Sequence, residues 1–383
     1  MRDADAPRGG PVRVAHIVFD LHGGGMETLV AAMAQRFARS SVVMSVITLS
    51  GRVGRVGTAV RPLVDQFHVL KPVSGLSMVA PLGLIQCLRR IRPHVVHLHS
   101  GAWYKGALAA RLARVRRIIY TEHGREYDAP PRTRWLDQAA SRWTDVVVAV
   151  SDSLRRYLEV ALRVPSARLR TIENGIDVDV FSPAPRSQSL LDSLAIPRDA
   201  LVIGSVGRLE PVKAYERMIE ALAQVQRRGE IGRPVYLVIC GEGSQRQALA
   251  ECARQWGVAD NVRLPGWVSQ PVEIYRLLDA FALTSLSEGA SISLMEAMAC
   301  GVAPVVMAVG ANAEILGPAL QDQVVPAGDA GAFRQTVVAT LQSSTRLERI
   351  RGLARERAIA RYGLERMIRA YERAYVEDGV GTG

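Results

Sequence analysis

The sequence predicts an α/β protein made of two tandem doubly wound domains, each a parallel sheet with helices on both faces. Three observations predict it. The chain has 383 residues, enough for two domains at about 150 residues each. Short runs rich in Val and Ile, apolar on both faces, alternate with longer stretches at helical spacing. That alternation breaks once, near residues 181–200, and then restarts. Ligands in such sheets sit beyond the carboxyl ends of the strands, so a cleft between the two domains is the expected site.

Residues 1–11 read as a flexible N-terminus. They carry acidic residues and no apolar core, so no secretory signal is expected there. In the N-terminal domain, 12–180, VRVAHIVF (12–19) reads as a buried strand. Gly23, Gly24 and Gly25 follow it, and METLVAAMAQRFAR then continues at helical spacing. VVMSVITL (42–49), HVVHLH (94–99), RIIYTE (117–122) and DVVVAV (145–150) read as further strands.

FSPAPRSQSLLDSLAIPRD, with three prolines and little periodicity, reads as a linker over 181–200. The second domain, 201–360, has strands at LVIGSVG (201–207), PVYLVICG (234–241), NVRLPG (261–266), AFALTS (280–285) and VAPVVM (302–307). Residues 361–383 are expected to form a C-terminal helix packing back on the N-terminal domain. No apolar run approaches the about 18 residues of a membrane-spanning helix.

Hydrophobic residues make up 48% and charged residues 22%, which excludes wholesale disorder. Four widely spaced cysteines with no C-x-x-C pair exclude a disulfide scaffold and the usual zinc spacings, and fit a reducing cytoplasm. They read as buried apolar residues.

The net charge is +11, and all of it lies in the first half: residues 1–180 hold 26 Lys and Arg against 15 Asp and Glu, and residues 181–383 hold 22 of each. A basic half attracts an anionic membrane surface or a phosphorylated ligand. The run Arg111, Arg114, Arg116 and Arg117 follows an apolar helical stretch, as on a membrane-facing or phosphate-facing helix; a solvated helix face is the alternative. Nucleic acid is disfavoured, because no helix-turn-helix, RRM or zinc-finger pattern is present.

Three stretches carry chemistry. In SLSEGASISLMEAMACG (285–301), Glu288 ends a strand-to-loop segment and Glu296 lies in a helix beginning near Ser291 and Ile292. Two carboxylates with small residues between them suit a polyhydroxyl ligand, and backbone N–H groups at a helix start favour phosphate. Two surface glutamates on an amphipathic helix are the alternative. In SVGRLEPVKAYERMIEAL (205–222), Arg208 and Lys213 follow a strand end, a suitable place for a diphosphate. ICGEGSQRQAL (239–249) is a third strand-to-helix turn.

Together these segments resemble the retaining GT-B glycosyltransferases grouped as family 4, over roughly residues 12–375. The E-x7-E spacing of Glu288 and Glu296 is the most specific feature. VGRLEPVK, VICGEG, VSDSLRRYL (150–158) and IENGIDVDVF (172–181) resemble the family in the family's order.

The resemblance implies roles. Arg208 and Lys213 would hold the donor diphosphate, Glu296 the ribose hydroxyls, and Glu288 would face the transferred sugar. Backbone amides of Gly289, Ala290, Ser291, Ile292 and Ser293 would contact sugar and phosphate. Gly266, Trp267 and Val268 would lie against the base. His123, in TEHGREY, would sit over the sugar, with His99 beside it on the acceptor side. Gly23, Gly24 and Gly25 would let the first loop approach the phosphates or the acceptor. Glu288, His123, Arg208 and Lys213 are thus the expected catalytic residues. Ala214 and Ala311 stand where the family commonly has Gly, and a methyl there would press on the phosphate loops.

The implied activity is hexosyl transfer, with retention, from a nucleotide-sugar donor to a lipid-linked or oligosaccharide acceptor. The setting would be cell-surface polysaccharide or exopolysaccharide biosynthesis, in the cytoplasm or peripherally on the anionic inner face of the plasma membrane. No metal or other cofactor is expected. Asp177 and Asp179 have the D-x-D form of metal-dependent transferases but read as a turn. His97 and His99 share a strand face as a conceivable metal pair, with core or cleft lining as the commoner role. Competing readings are a GT-B-type sugar-nucleotide 2-epimerase and a non-catalytic nucleotide-binding scaffold at the membrane. A nicotinamide-dependent oxidoreductase is disfavoured, because GGGMET does not match G-x-G-x-x-G.

Overall fold

The structure is a computed structural model and describes residues 10–71, 81–124 and 131–376, without the side chains of 131–133. The chain divides into two units. One comprises residues up to Asn174 together with those from Glu365 onward; the other is Gly175–Leu364.

The first unit holds a seven-stranded parallel sheet. Its strands are β1 (Val12–Val18), β2 (Val42–Thr48), β3 (Gln66–Val69), β4 (Val95–His99), β5 (Arg117–Glu122), β6 (Val146–Ala149) and β7 (Leu169–Thr171), in the order β3-β2-β1-β4-β5-β6-β7. The central strands are buried along nearly their whole length, as a sheet covered on both faces requires. The chain leaves β1 on one side for β2 and returns on the other for β4. The switch point therefore lies between β1 and β4.

The second unit holds six parallel strands: β8 (Leu201–Val206), β9 (Val235–Cys240), β10 (Val262–Gly266), β11 (Ala280–Leu283), β12 (Ala303–Met307) and β13 (Val324–Val325), in the order β10-β9-β8-β11-β12-β13. Its switch point lies between β8 and β11. The ten strands read from the sequence are all present. The three it missed, β3, β7 and β13, are two to four residues long and sit at or next to sheet edges. So short a segment records almost no periodicity.

The unit boundaries differ from the sequence reading. The first crossing falls at Asn174 rather than 180, and the segment 181–200, read as a linker, belongs to the second unit and contains the helix Gln188–Ser193. The cause is local. Ile176 exchanges backbone hydrogen bonds with Tyr362 and Leu364. The Arg355 guanidinium donates to the carbonyls of Val178 and Phe181, tying this stretch to the long helix Ser344–Tyr362. The chain returns to the first unit after Leu364, where the helix Leu364–Val376 starts, rather than at 361. Cys87, Cys240 and Cys300 are buried, whereas Cys252 is only half-buried, and all four are free thiols.

Candidate active site

In the second unit the loops after β8 and β11 leave the sheet on either side of the switch point. Lys213 lies on the first, at the end of a 3-10 turn from Pro211 to Lys213, and Glu288 on the second. Their side chains meet, with Lys213 Nζ 2.6 Å from Glu288 Oε1 and both largely buried. Ser285 Oγ donates to the same carboxylate oxygen at 2.7 Å. Two further bonds lock the loops together: Leu286 N–H to the Val212 carbonyl at 2.8 Å, and Thr284 Oγ1 to the Ala214 carbonyl at 2.9 Å. A buried ion pair is weak evidence for stability, because desolvation offsets its Coulomb gain. The pair lies at the carboxyl edge of the sheet, beside the switch point where ligands bind in open α/β sheets.

The helix Ile292–Ala299 begins immediately beyond this pair. Ser291 caps it, accepting from Leu294 N–H. Gly289 and Ala290 form the link from Glu288 to the cap, and the Gly289 carbonyl accepts from Ala311 N–H at 3.0 Å. The loop after β12 packs so closely that a Cβ on Gly310 would lie 1.9 Å from the Glu288 carbonyl oxygen. Glu296 sits inside the helix and is buried. Its Oε2 accepts from Tyr275 OH at 2.6 Å. Burial pushes its carboxyl up to about 7, and the Tyr275 hydrogen bond opposes that shift.

The structure therefore brings Lys213 and Glu288 into contact, while the other two expected partners make no hydrogen bond or ion pair with them. Glu296 is paired with Tyr275 instead. Arg208, on the same loop as Lys213, is exposed. A Cβ on Gly241 would lie 1.9 Å from the Gly207 carbonyl oxygen, so the loops after β8 and β9 are in backbone contact beside Arg208. Gly266 has φ +84° at the end of β10, two strands from the switch point; Trp267 beyond it is 52% exposed, and Val268 is half-buried.

The glycine-to-alanine departures resolve differently from the expectation. Ala214 has φ +46° and a buried methyl, so its cost lies in the left-handed backbone rather than in pressure on a ligand. Ala311 has φ −92° and carries no such strain.

In the first unit, Gly23 and Gly24 follow β1, and Gly25 opens the helix Gly25–Phe37 at the switch point. His99 ends β4 and His123 follows β5, with His99 Nδ1 2.9 Å from His123 Nε2. The rest of TEHGREY, from Arg125, lies outside the described residues. His16, His97 and His99 present ring nitrogens within 4.8 Å of one another. By type they could hold a divalent cation. Each ring, however, already uses both nitrogens in hydrogen bonds to neighbouring side chains. Asp177 Oδ1 accepts from the N–H groups of Asp179 and Val180, so the D-x-D segment is a turn.

The arginine run is not a helix face near these loops. The helix Trp103–Leu112 ends before Arg114, and Arg111, Arg114 and Arg116 are exposed around the amino end of β5. Arg13, Arg89, Arg90 and Arg92 lie exposed at the same amino-terminal edge. That edge is opposite the one carrying His123, so the phosphate-facing reading does not hold for this run. A cavity of about 470 Å³ in the second unit opens at the amino ends of β11 and β12 beside Pro183, Arg186, Tyr275 and Arg351. Of the four arginines that line it, Arg186 and Arg351 are committed to Asp279, Arg276 to Glu273 and the Ser182 carbonyl, and Arg355 to main-chain carbonyls, which makes it a structural seam.

Sequence reasoning missed Ser285, Tyr275, Thr121, Tyr371 and Tyr375. The two C-terminal tyrosines had a signal, an aromatic pair four residues apart on one helix face, masked by the surrounding Arg and Glu.

Residues 187–357 match the family described as glycosyl transferases group 1, and residues 23–180 match glycosyltransferase family 4. The chain is 30% identical over 321 residues to a D-inositol 3-phosphate glycosyltransferase of Actinosynnema mirum, covering 75% of this chain and 76% of that one. It is 26% identical over 245 residues to the UDP-Gal:alpha-D-GlcNAc-diphosphoundecaprenol alpha-1,3-galactosyltransferase of Escherichia coli, covering 62% of this chain and 63% of that one. Among solved structures, Anabaena HepE in complex with UDP and glucose superposes with a TM-score of 0.82 at 19% identity, over 95% of this chain and 99% of that one. These relatives are transferases, so the epimerase and scaffold readings find no support. With its two Rossmann-like sheets and matches along both halves, the chain belongs to glycosyltransferase family 4 and is a glycosyltransferase of the GT-B fold.

Proposed function

We propose that this enzyme moves a hexosyl group, with retention, from a nucleoside-diphosphate sugar to a lipid-diphosphate-linked saccharide in cell-surface polysaccharide assembly. The observation that carries the reading is the Lys213–Glu288 pair across the switch point of the second unit. In the reaction the bond from the anomeric carbon to the diphosphate breaks, and a bond to an acceptor oxygen forms. The acceptor proton leaves on the diphosphate side. Negative charge grows on the diphosphate as the sugar becomes oxocarbenium-like. A fixed ammonium at Lys213 stabilises that growth without proton transfer. Arg208, exposed on the same loop, is free to swing toward the same phosphates. Glu288 holds Lys213 in place and offers its carboxylate to the sugar. Glu296 accepts ribose hydroxyls when ionised. Gly266, Trp267 and Val268 lie against the base.

In the first unit, the Gly23–Gly25 turn and His123 form the acceptor side; His99, expected there too, is buried with both ring nitrogens bonded to His16 and His123, and acts only from behind His123. The name of the Escherichia coli relative supports a diphosphoundecaprenol-type acceptor. No described helix is long and apolar enough to cross a membrane. Contact with an anionic cytoplasmic leaflet would run through the seven exposed arginines at the amino edge of the first sheet.

The test has two stages. Full-length protein is screened by thermal shift against UDP-, GDP- and dTDP-hexoses; a ligand at 100 times its Kd stabilises by about 2.7 kcal/mol. The stabilising donor is then incubated with an undecaprenyl-diphosphate-linked monosaccharide. Mass spectrometry should find one added hexose and the free nucleoside diphosphate. Stabilisation by no donor, or donor hydrolysis alone with every acceptor, would defeat the reading.

A further inference from the structure

Four imidazoles, two phenols and a threonine form one continuous hydrogen-bonded line through the first unit. His123 Nε2 meets His99 Nδ1 at 2.9 Å, and His99 Nε2 meets His16 Nδ1 at 3.0 Å. Tyr375 OH bridges His16 Nε2 at 3.4 Å and His97 Nδ1 at 2.8 Å. His97 Nε2 meets Thr121 Oγ1 at 2.7 Å, and Thr121 meets Tyr371 OH at 3.1 Å. All members except His123 are buried, and Tyr371 and Tyr375 come from the helix Leu364–Val376. One ring nitrogen is left over. His123 Nδ1 is shielded from solvent and has no hydrogen-bond partner among the described residues.

Burial lowers His16 to about 3 and His123 to about 4, the latter despite the Glu122 carboxylate, and holds His97 and His99 well below the usual range. All four rings are neutral at pH 7, so each carries one N–H and one lone pair. The line then has two complete states. In one, every ring is protonated at Nε2; in the other, every ring is protonated at Nδ1. Mixed states leave a contact with two donors or none, or, where His16 and His97 both donate to the Tyr375 oxygen, leave the phenol proton without an acceptor.

Tyr375 chooses between them. A phenol O–H is a better donor than a neutral imidazole N–H, and an imidazole nitrogen a better acceptor than a phenol oxygen, so the stronger O–H···N bond takes the short contact, to His97 Nδ1, whereas His16 Nε2 is at hydrogen-bond limit. The phenol proton therefore goes to His97 Nδ1, which fixes His97 as the Nε2–H form, donating to Thr121. His16 then donates from Nε2 to the phenol oxygen and accepts at Nδ1 from His99 Nε2–H. His99 Nδ1 in turn accepts from His123 Nε2–H. This is also the tautomer that free neutral histidine favours.

We infer that Tyr375 is a positioning residue for His123. Through His16 and His99 it orients the line so that His123 keeps a bare Nδ1 lone pair beyond the carboxyl end of β5, an acceptor that suits a hydroxyl and not an unprotonated anionic oxygen. The hydroxyl as occupant rests on the glycosyl-transfer reading above; the tautomer assignment rests on the first unit alone.

Long-range proton–nitrogen NMR of full-length, histidine-labelled protein tests it. The four rings should show protonated Nε2 and bare Nδ1 from pH 6 to 8. Tyr375→Phe should turn His123, two rings away, into a tautomer mixture, whereas Tyr371→Phe, at the far end beyond Thr121, should leave His123 unchanged. With the donor found by the thermal-shift screen, Tyr375→Phe should lower kcat/KM by about tenfold, the effect of one misdirected hydrogen bond. An all-Nδ1–H spectrum overturns the assignment, as does an unmoved His123 signal in Tyr375→Phe or a stoichiometric metal on the rings. Should Tyr375→Phe not fold, the wild-type spectrum still decides. No sugar is needed for it, so failure here leaves glycosyl transfer standing, and failure of transfer leaves the tautomers standing.

Discussion

Lys213 and Glu288, 75 positions apart in the chain, share a 2.6 Å contact across the switch point of the second sheet. Neither is fully exposed, so removing one partner strands the other. Lys213→Ala should reduce donor turnover by about 100- to 1,000-fold, the typical loss of one charge-stabilising donor, and should also lower stability. Lys213→Ala with Glu288→Ala should recover much of the stability and none of the turnover. Arg208→Ala, at an exposed position, should cut turnover without lowering the melting temperature. Unchanged turnover in Lys213→Ala would remove the pair from the chemistry.

Glu296 makes the protein's stability and nucleotide binding depend on pH in opposite senses. Its carboxyl rises from 4.5 unfolded to about 7 folded, so the native state keeps a proton that the unfolded chain releases. Stability should fall as pH rises from 4.5 through 7, by about 3 kcal/mol at most. Affinity for free nucleotide should rise over pH 6 to 8, as the ionised carboxylate becomes available to ribose. Glu296→Gln should flatten both profiles, read by denaturant melts and calorimetric titration.

Ala214 occupies a left-handed backbone position with its methyl buried. Glycine there relieves about 1–2 kcal/mol of backbone strain but gives up a buried methyl worth about 0.8 kcal/mol. Ala214→Gly should therefore fold with unchanged or slightly raised stability and keep its turnover. Ala214→Val should lose more than about 2 kcal/mol in a urea melt, because a β-branched residue tolerates this conformation worst.

Donor turnover should survive EDTA. Complete loss, restored by an added divalent cation, would revive the Asp177–Asp179 segment or the His16, His97 and His99 group as ligands.

Vesicle binding should need anionic lipid and fall as salt is raised through the range where the Debye length shrinks below about 8 Å. Charge reversal at Arg89, Arg90 and Arg114 should abolish it while leaving the thermal shift with donor intact. Equal binding to neutral vesicles would refute the electrostatic account.

The alternation of Val- and Ile-rich runs located ten strands, because a strand buried on both faces must be apolar throughout. The Ser291 cap was legible too, since the residue types at a helix start answer a local need for hydrogen-bond acceptors. The boundary at Asn174 was not. It depends on Arg355 reaching the carbonyls of Val178 and Phe181, and main-chain acceptors leave no trace in residue identity. Nor was the fate of Glu296: the E-x7-E spacing says that two carboxylates are near one helix start, not that one of them faces Tyr275.

The sequence by itself determined the two parallel sheets, the loops that end at their ligand-binding edges and the family to which the chain belongs, because burial pattern and motif spacing are local properties. Only the tertiary structure decided that Lys213 meets Glu288, that burial raises the Glu296 carboxyl, and that a tyrosine on the last helix joins a line of imidazoles ending at His123. Those outcomes depend on crossover order and strand register, which bring together side chains 21 to 359 positions apart.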